Sequence, residues 1–154
     1  MAHRIKKPRT DKTDFMLFWA SVLVTILGTL DALYLFIFKL TGNNRMCLGN
    51  GGCHDVNFSS YSVIYSIPVS VFGLSAFIAI LCILILEGRL KIAKENGPLA
   101  IFGISLGGVI FTAYLTYLEI YVIRAICPFC VASAMFIIFL FILAIIRLVK
   151  QTTK

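Results

Sequence analysis

The stretch CPFCVASAMFIIFLFILAIIRL, Cys127–Leu148, decides the fold. Between Cys130 and Arg147 it carries no charge, and about 20 apolar residues in a row cross the roughly 30 Å hydrocarbon core of a bilayer. Working outward, three further runs have the same character: Phe15–Leu40, Ile67–Leu86 and Leu99–Ile123. In lipid, only helices or closed barrels satisfy the backbone, and unbroken apolar runs specify helices. The expected fold is therefore an all-α integral membrane bundle of four transmembrane helices. The whole chain forms one domain: a tail at 1–14, helices at 15–40, 67–86, 99–123 and 127–148, an outer loop at 41–66, an inner loop at 87–98 and a second tail at 149–154.

Composition excludes an ordinary soluble domain. The 154 residues are 60% hydrophobic and 14% charged, with mean hydropathy +0.96, whereas soluble domains are about a quarter charged. The first run exceeds the roughly 7–15 residue core of a cleaved signal and has no small-residue cleavage site, so it is expected to stay in the membrane. The net charge of +7 is not a nucleic-acid footprint, because its distribution follows the helix ends. Arg4, Lys6, Lys7, Arg9 and Lys12 precede the first helix; Arg89, Lys91 and Lys94 lie between the second and third; Arg147, Lys150 and Lys154 mark the end of the fourth. Only Lys39, Arg45 and Arg124 fall on the opposite side. The positive-inside rule then places both termini in the cytoplasm, with the protein multi-pass in a cell (inner) membrane.

The outer segment Thr41–Ser66 opens on Gly42-Asn43-Asn44 and holds Gly49-Asn50-Gly51-Gly52 between two cysteines, a pattern for a tight irregular loop. Asn57–Tyr65 reads as an interfacial stretch over the helix ends. Ser66 is expected to cap the second helix, with Pro68 in its first turn.

Four of the five cysteines fall on the outer side: Cys47, Cys53, Cys127 and Cys130. Cys82 lies about 22 Å down the second helix at the helical rise, beyond the roughly 7 Å Cα separation that a disulfide allows, and reads as a small apolar core residue. In Cys127-Pro128-Phe129-Cys130 the proline suggests a helix starting at Cys127. Free N–H groups, the helix dipole and nearby Arg124 would favour a thiolate there. Residues i and i+3 share a face, so the pair can close a small reducible ring. A structural disulfide, two buried thiols or half of a metal site are the competing readings. Cys47 and Cys53, alone, would suit a loop staple; beside a second outer pair they suit a relay for thiol–disulfide exchange. Four thiolates also suit zinc, although an oxidising outer compartment weighs against it. The chain has no dinucleotide-binding glycine motif and no haem-attachment motif, which makes a lipid-soluble quinone the natural candidate for the electron acceptor.

The arrangement resembles the compact bacterial members of the vitamin K epoxide reductase family. The likeness rests on Cys47 and Cys53, Ser59-Ser60-Tyr61-Ser62, Ile67-Pro68-Val69, Phe72-Gly73, Tyr114-Leu115, Glu119 and Cys127-Pro128-Phe129-Cys130. In the other quinone-linked thiol oxidase family the Cys-x-x-Cys precedes the loop pair; here it comes last. The resemblance implies a four-helix bundle around a quinone, ubiquinone or menaquinone (vitamin K type), contacted by Phe72, Leu115, Glu119 and either Ser59 or Ser60. It also implies catalytic roles for the cysteines: Cys47 meets the partner's thiol, Cys53 exchanges with Cys127, and Cys130 stands nearest the quinone. The partner implied is a thioredoxin-fold protein, expected as a separate chain because no such domain follows before Lys154. Ala134 and Val69 stand where animal members carry a tyrosine and an asparagine that hold the vitamin's oxygens, which favours a quinone over an epoxide.

Glu119 is placed either for quinone protonation or for reaching Arg124, and intramembrane carboxyls are functional suspects. Asp31, deeper in the first helix, reads as an inter-helix hydrogen-bonding group. Gly103, Gly107 and Gly108 give a small-residue spacing for close helix packing. The function expected is a quinone-dependent thiol oxidoreductase supporting disulfide formation outside the cytoplasm. A non-enzymatic metal-binding protein using the four outer cysteines is the alternative.

Overall fold

The computed structural model describes residues 12–42 and 52–153, and for 91–94 the backbone alone. Four long helices form the bundle: α1 (Lys12–Thr41), α3 (Val69–Arg89), α4 (Lys91–Tyr117) and α5 (Pro128–Thr152), with a short α2 (Gly52–Asn57) between the first two. All four are long and apolar enough to cross a membrane. Packing runs α1 to α3 to α4 to α5 and back to α1, a closed ring in which α1 lies diagonal to α4. Ala32, Phe77, Ile80, Leu84, Ile101, Ile137, Leu140 and Ala144 fill the centre. The outward faces carry exposed Leu23, Ile85, Ile110 and Ile146, as a surface solvated by lipid requires.

The helices extend past their apolar runs, because a polar end reaching water still satisfies its own backbone. Asp14 in the first turn of α1 and Lys39 in its last complement the helix dipole. The largest departure is at 87–98, expected as a loop. There α3 runs to Arg89, Leu90 alone is extended (φ −117°, ψ 130°), and α4 starts at Lys91. Pro98 lies inside α4, where it forfeits one backbone hydrogen bond.

A two-stranded hairpin that the sequence reading missed precedes α3: β1 (Val63–Ile64) pairs antiparallel with β2 (Ile67–Pro68). Its two-residue turn holds Tyr65 and Ser66 at φ 48° and 69°, the pair of positive values that a type I′ turn demands. Ser66 is thus occupied by the turn and caps nothing; Pro68 takes the N-cap position of α3 without a side-chain bond. Two other expectations fail. Cys82 is exposed on the outside of α3 rather than in the core. Gly103 and Gly107 face open space, and only Gly108 of that trio makes a close approach, its Cα so near Ile137 that an added Cβ would lie 2.7 Å from Cγ1.

At the end of the bundle shared by Lys12 and Thr152, the buried Glu87 carboxylate pairs with Arg147, whose guanidinium stands 5.8 Å over the Phe18 ring. Asp14 and Lys150 pair at 2.9 Å. The cysteines lie at the opposite end.

Candidate active site at the cysteine end

The last turn of α4 widens into a π-helical turn, Leu118–Ile123, which ends on Arg124 in the left-handed region (φ 56°) and is closed by Ala125 N–H donating to the Glu119 carbonyl at 3.2 Å. Such single π-turns recur at functional sites. This one buries Leu118 and Glu119 and aims the Glu119 carboxylate at the start of α5. Its Oε2 accepts from the Cys127 backbone N–H at 3.5 Å, and its side chain lies beside that of Cys130. Among the described residues no ion pair joins Glu119 to Arg124.

Helix α5 begins at Pro128, one residue later than expected, with proline at N1 and Cys127 as the N-cap. The Cys127 sulfur accepts from the Cys130 N–H at 3.4 Å, and no disulfide joins the two. Cys127 is fully buried while Cys130 is partly so, so the two sulfurs occupy different environments.

Cys53, on α2, is buried in one cluster with Cys127, Leu35 and Phe38, flanked by Val56, Phe129 and Cys130. Its side chain lies against that of Cys127. Gly52 makes this approach possible: a Cβ there would lie 2.5 Å from the Ile126 carbonyl oxygen, so only glycine lets α2 rest on the backbone leading into Cys127. Lys39, at the end of α1, donates to the Asn57 carbonyl and to Ser62 Oγ at 2.8 Å, and lies 4.7 Å over the Phe58 ring. Asn57 Nδ2 donates to the Leu35 carbonyl at 3.3 Å. The segment after α2 is thereby tied down over the bundle as a roof. Cys47 lies outside the described residues.

Beneath that roof is a cavity of about 140 Å³ between the four long helices. Phe72, Leu115 and Glu119 line it, as does Ser59; Ser60 does not and points outward. The choice left open between the two serines thus falls on Ser59 by placement, because the 3₁₀ turn at Ser60–Ser62 rotates Ser60 to the outside. Cys130 opens onto the cavity, whereas Cys53 and Cys127 are absent from its wall. The walls are mostly apolar, with Phe77, Phe111 and Ile137 among them. Polar side chains also line it, among them Asn57, Ser59, Ser62, Ser70, Thr112 and Thr116. One of them, the buried Ser70 Oγ, has no hydrogen-bond partner among the described residues. An apolar cavity with an orphaned hydroxyl fits a flat apolar ligand bearing an acceptor oxygen. Among the described residues no three His, Cys, Asp or Glu side chains converge as a metal site.

Sequence reading missed Lys39, Ser70 and Ser133. The last had a usable signal: it follows Cys130 by three residues, hence shares its face, and it lines the same cavity. Its hydroxyl donates to Asp31 across the α1–α5 contact.

Two comparisons with known proteins bear on this site. The family model described as Vitamin K epoxide reductase family matches residues 19–145. A curated relative, the thiol-disulfide oxidoreductase LTO1 of Arabidopsis thaliana, is 34% identical over 122 residues, covering 75% of this chain. The aligned region spans 32% of that relative's length.

Proposed function

Because the chain belongs to the vitamin K epoxide reductase family, we propose that it is a membrane thiol oxidoreductase that carries electrons from an external dithiol protein to a membrane quinone. The donor is a thioredoxin-fold partner, the first acceptor is the Cys47–Cys53 pair, and the last protein carrier is Cys127–Cys130. Both termini are cytoplasmic and the cysteines face the outer compartment of a cell membrane, on the charge asymmetry of the sequence.

The observation that carries this reading is the order of sulfurs. Cys53 touches Cys127 in a buried cluster, and Cys130 alone opens onto the apolar cavity. When the inner pair is a disulfide, a Cys53 thiolate attacks Cys127 and Cys130 leaves as a thiolate. Cys47 then attacks Cys53, forming the loop disulfide and releasing Cys127. Thiol–disulfide exchange conserves electrons, so the loop pair ends oxidised and the inner pair reduced. Reoxidation of Cys127 and Cys130 to a disulfide gives up two electrons, which a quinone, when bound, would accept together with two protons. Glu119, beside the Cys130 side chain, receives the proton that this thiol loses. Phe72, Leu115 and Ser59 would hold the ring in the cavity, with the Ser70 hydroxyl free to meet an oxygen. Buried walls exclude water from the exchange.

Purified protein mixed with a reduced thioredoxin-fold domain and a short-chain ubiquinone or menaquinone tests this. Quinone absorbance should fall in step with partner oxidation, one quinone per dithiol. Partner oxidation with no quinone consumed would sink the acceptor assignment.

A further inference from the structure

The reaction just proposed needs two protons at two separate oxygens, and the cysteine end shows one carboxyl at Cys130. The second acid lies one turn deeper. Ser133 follows Cys130 on the same face of α5, about 4.5 Å further along the axis, and lines the same cavity. Its hydroxyl is hydrogen-bonded to the half-buried Asp31 of α1, whose neighbours Ala32 and Leu35 also form cavity wall. A carboxyl inside a membrane bundle is costly and is a functional suspect by default. This one is joined to the cavity by a hydroxyl, the group best suited to pass a proton on.

We propose that Asp31, acting through the Ser133 hydroxyl, supplies one of the two protons taken up when the Cys127–Cys130 dithiol is oxidised. The inference rests on the quinone reading above. Starting from one thiolate and one thiol, Cys127 and Cys130 form their S–S bond and release two electrons and one proton, the latter by way of Glu119. The Ser133 hydroxyl, which donates to Asp31 at rest, turns its hydrogen to the cavity; the Asp31 carboxylic acid then gives its proton to Ser133 Oγ as Ser133 releases its own. Two electrons and two protons convert the quinone to the quinol. Asp31 is left as a carboxylate and regains a proton from water before the next cycle. Ser133 is the group that meets the ligand; Asp31 is the proton source behind it.

The competing role is a hydrogen bond that merely joins α1 to α5, and Asp31→Asn separates the two. The amide still accepts from Ser133 but has no acidic proton. With dithiothreitol as reductant and a short-chain ubiquinone as acceptor, kcat should fall by about two orders of magnitude, the usual worth of a positioned acid. KM should stay within about twofold and Asp31→Glu should recover most of the rate. Thermal unfolding in detergent, without quinone, should be unchanged in Asp31→Asn. Infrared difference spectra of wild-type protein with ¹³C-labelled aspartate should show a carboxylic C=O band lost during a single oxidation of the dithiol. That signal keeps the proposal open to refutation should a variant fail to fold. Asp31→Asn at the wild-type kcat, equal loss in Asp31→Glu, or no isotope-sensitive band would each overturn the proton role. Wild-type protein that reduces no quinone would instead overturn the acceptor itself.

Discussion

Each end of the bundle holds one buried glutamate, and the two are built for opposite purposes. Glu87, at the end shared by the termini, meets the Arg147 guanidinium and lies where α3 and α4 are joined through a single extended residue. Glu119, at the cysteine end, accepts from the Cys127 backbone N–H and lies beside the Cys130 side chain, and no cation pairs with it among the described residues. Irregular backbone follows the same division. The π-turn, the left-handed Arg124, the hairpin turn at Tyr65–Ser66 and the short α2 all lie at the cysteine end. A carboxylate with its counter-charge is structural support. One turned on thiols, in a locally strained frame, is, on the proposed function, placed for chemistry.

The largest effect expected separates the two sulfurs of the inner pair. Cys130→Ala should lower quinone reduction by at least about three orders of magnitude, since these groups act as a unit. It leaves Cys127 beside Cys53, so a Cys53–Cys127 disulfide should accumulate and be visible by mass spectrometry. Finding instead a Cys53–Cys130 bond in Cys127→Ala, with none in Cys130→Ala, would reverse the order of transfer. The two glutamates come next and should fail in different ways. Glu87→Ala strands Arg147 in a buried site, and breaking such a pair costs about 3–5 kcal/mol. The surviving folded fraction should turn over normally. Glu119→Gln should retain the wild-type melting temperature but lose about 100-fold in kcat as a proton acceptor. The same pattern in both variants would erase the contrast between the ends.

A smaller effect is expected where the roof meets α5. In Gly52→Ala, a Cβ 2.5 Å from the Ile126 oxygen must push α2 away from Cys127, at about 1–3 kcal/mol of strain. Oxidation of a protein dithiol should slow several-fold. Quinone reduction driven by dithiothreitol, which can reach the inner pair directly, should not. Parallel loss with both reductants would mean that the glycine supports the fold and not the transfer between Cys53 and Cys127.

The sequence was most legible where physics is local. Four apolar runs imply four spans whatever their neighbours, and Cys127-Pro128-Phe129-Cys130 carries its own helix start in the proline. Phe72, Leu115, Ser59 and Glu119 were found through resemblance, and all of them line the cavity. What escaped depends on tertiary register. Leu118–Ile123 has no residue that announces a π-turn. Tyr65-Ser66 lacks the glycine or asparagine that usually signals a two-residue hairpin. Gly103 and Gly107 have the spacing of a packing motif but face away from the bundle, because spacing fixes a helix face without saying what that face meets. Asp31 stood out as a charge in lipid, yet its partner Ser133 lies 102 residues away, a separation that no local pattern bridges.

The smallest effect expected is at Cys82, and it tests whether thiol chemistry belongs to the cysteine end alone. Cys82 is exposed on the outer face of α3, thirteen residues and about 20 Å beyond the start of that helix at Val69. Its thiol faces lipid, far from Cys130, and contributes neither to the core nor to the cavity. Cys82→Ala should therefore change stability by less than about 0.5 kcal/mol and leave quinone reduction within twofold. The same variant makes the membrane orientation readable, because its remaining cysteines all belong to the two proposed redox pairs. In intact cells, after reduction, a membrane-impermeant maleimide should label it as readily as the wild type, with Cys47 as the expected target. Labelling that requires permeabilised cells would invert the topology and move the thiol partner to the cytoplasm. A marked loss of turnover in Cys82→Ala would show that the lipid-facing middle of α3 takes part in the reaction after all, and the contrast between the two ends would have to be redrawn.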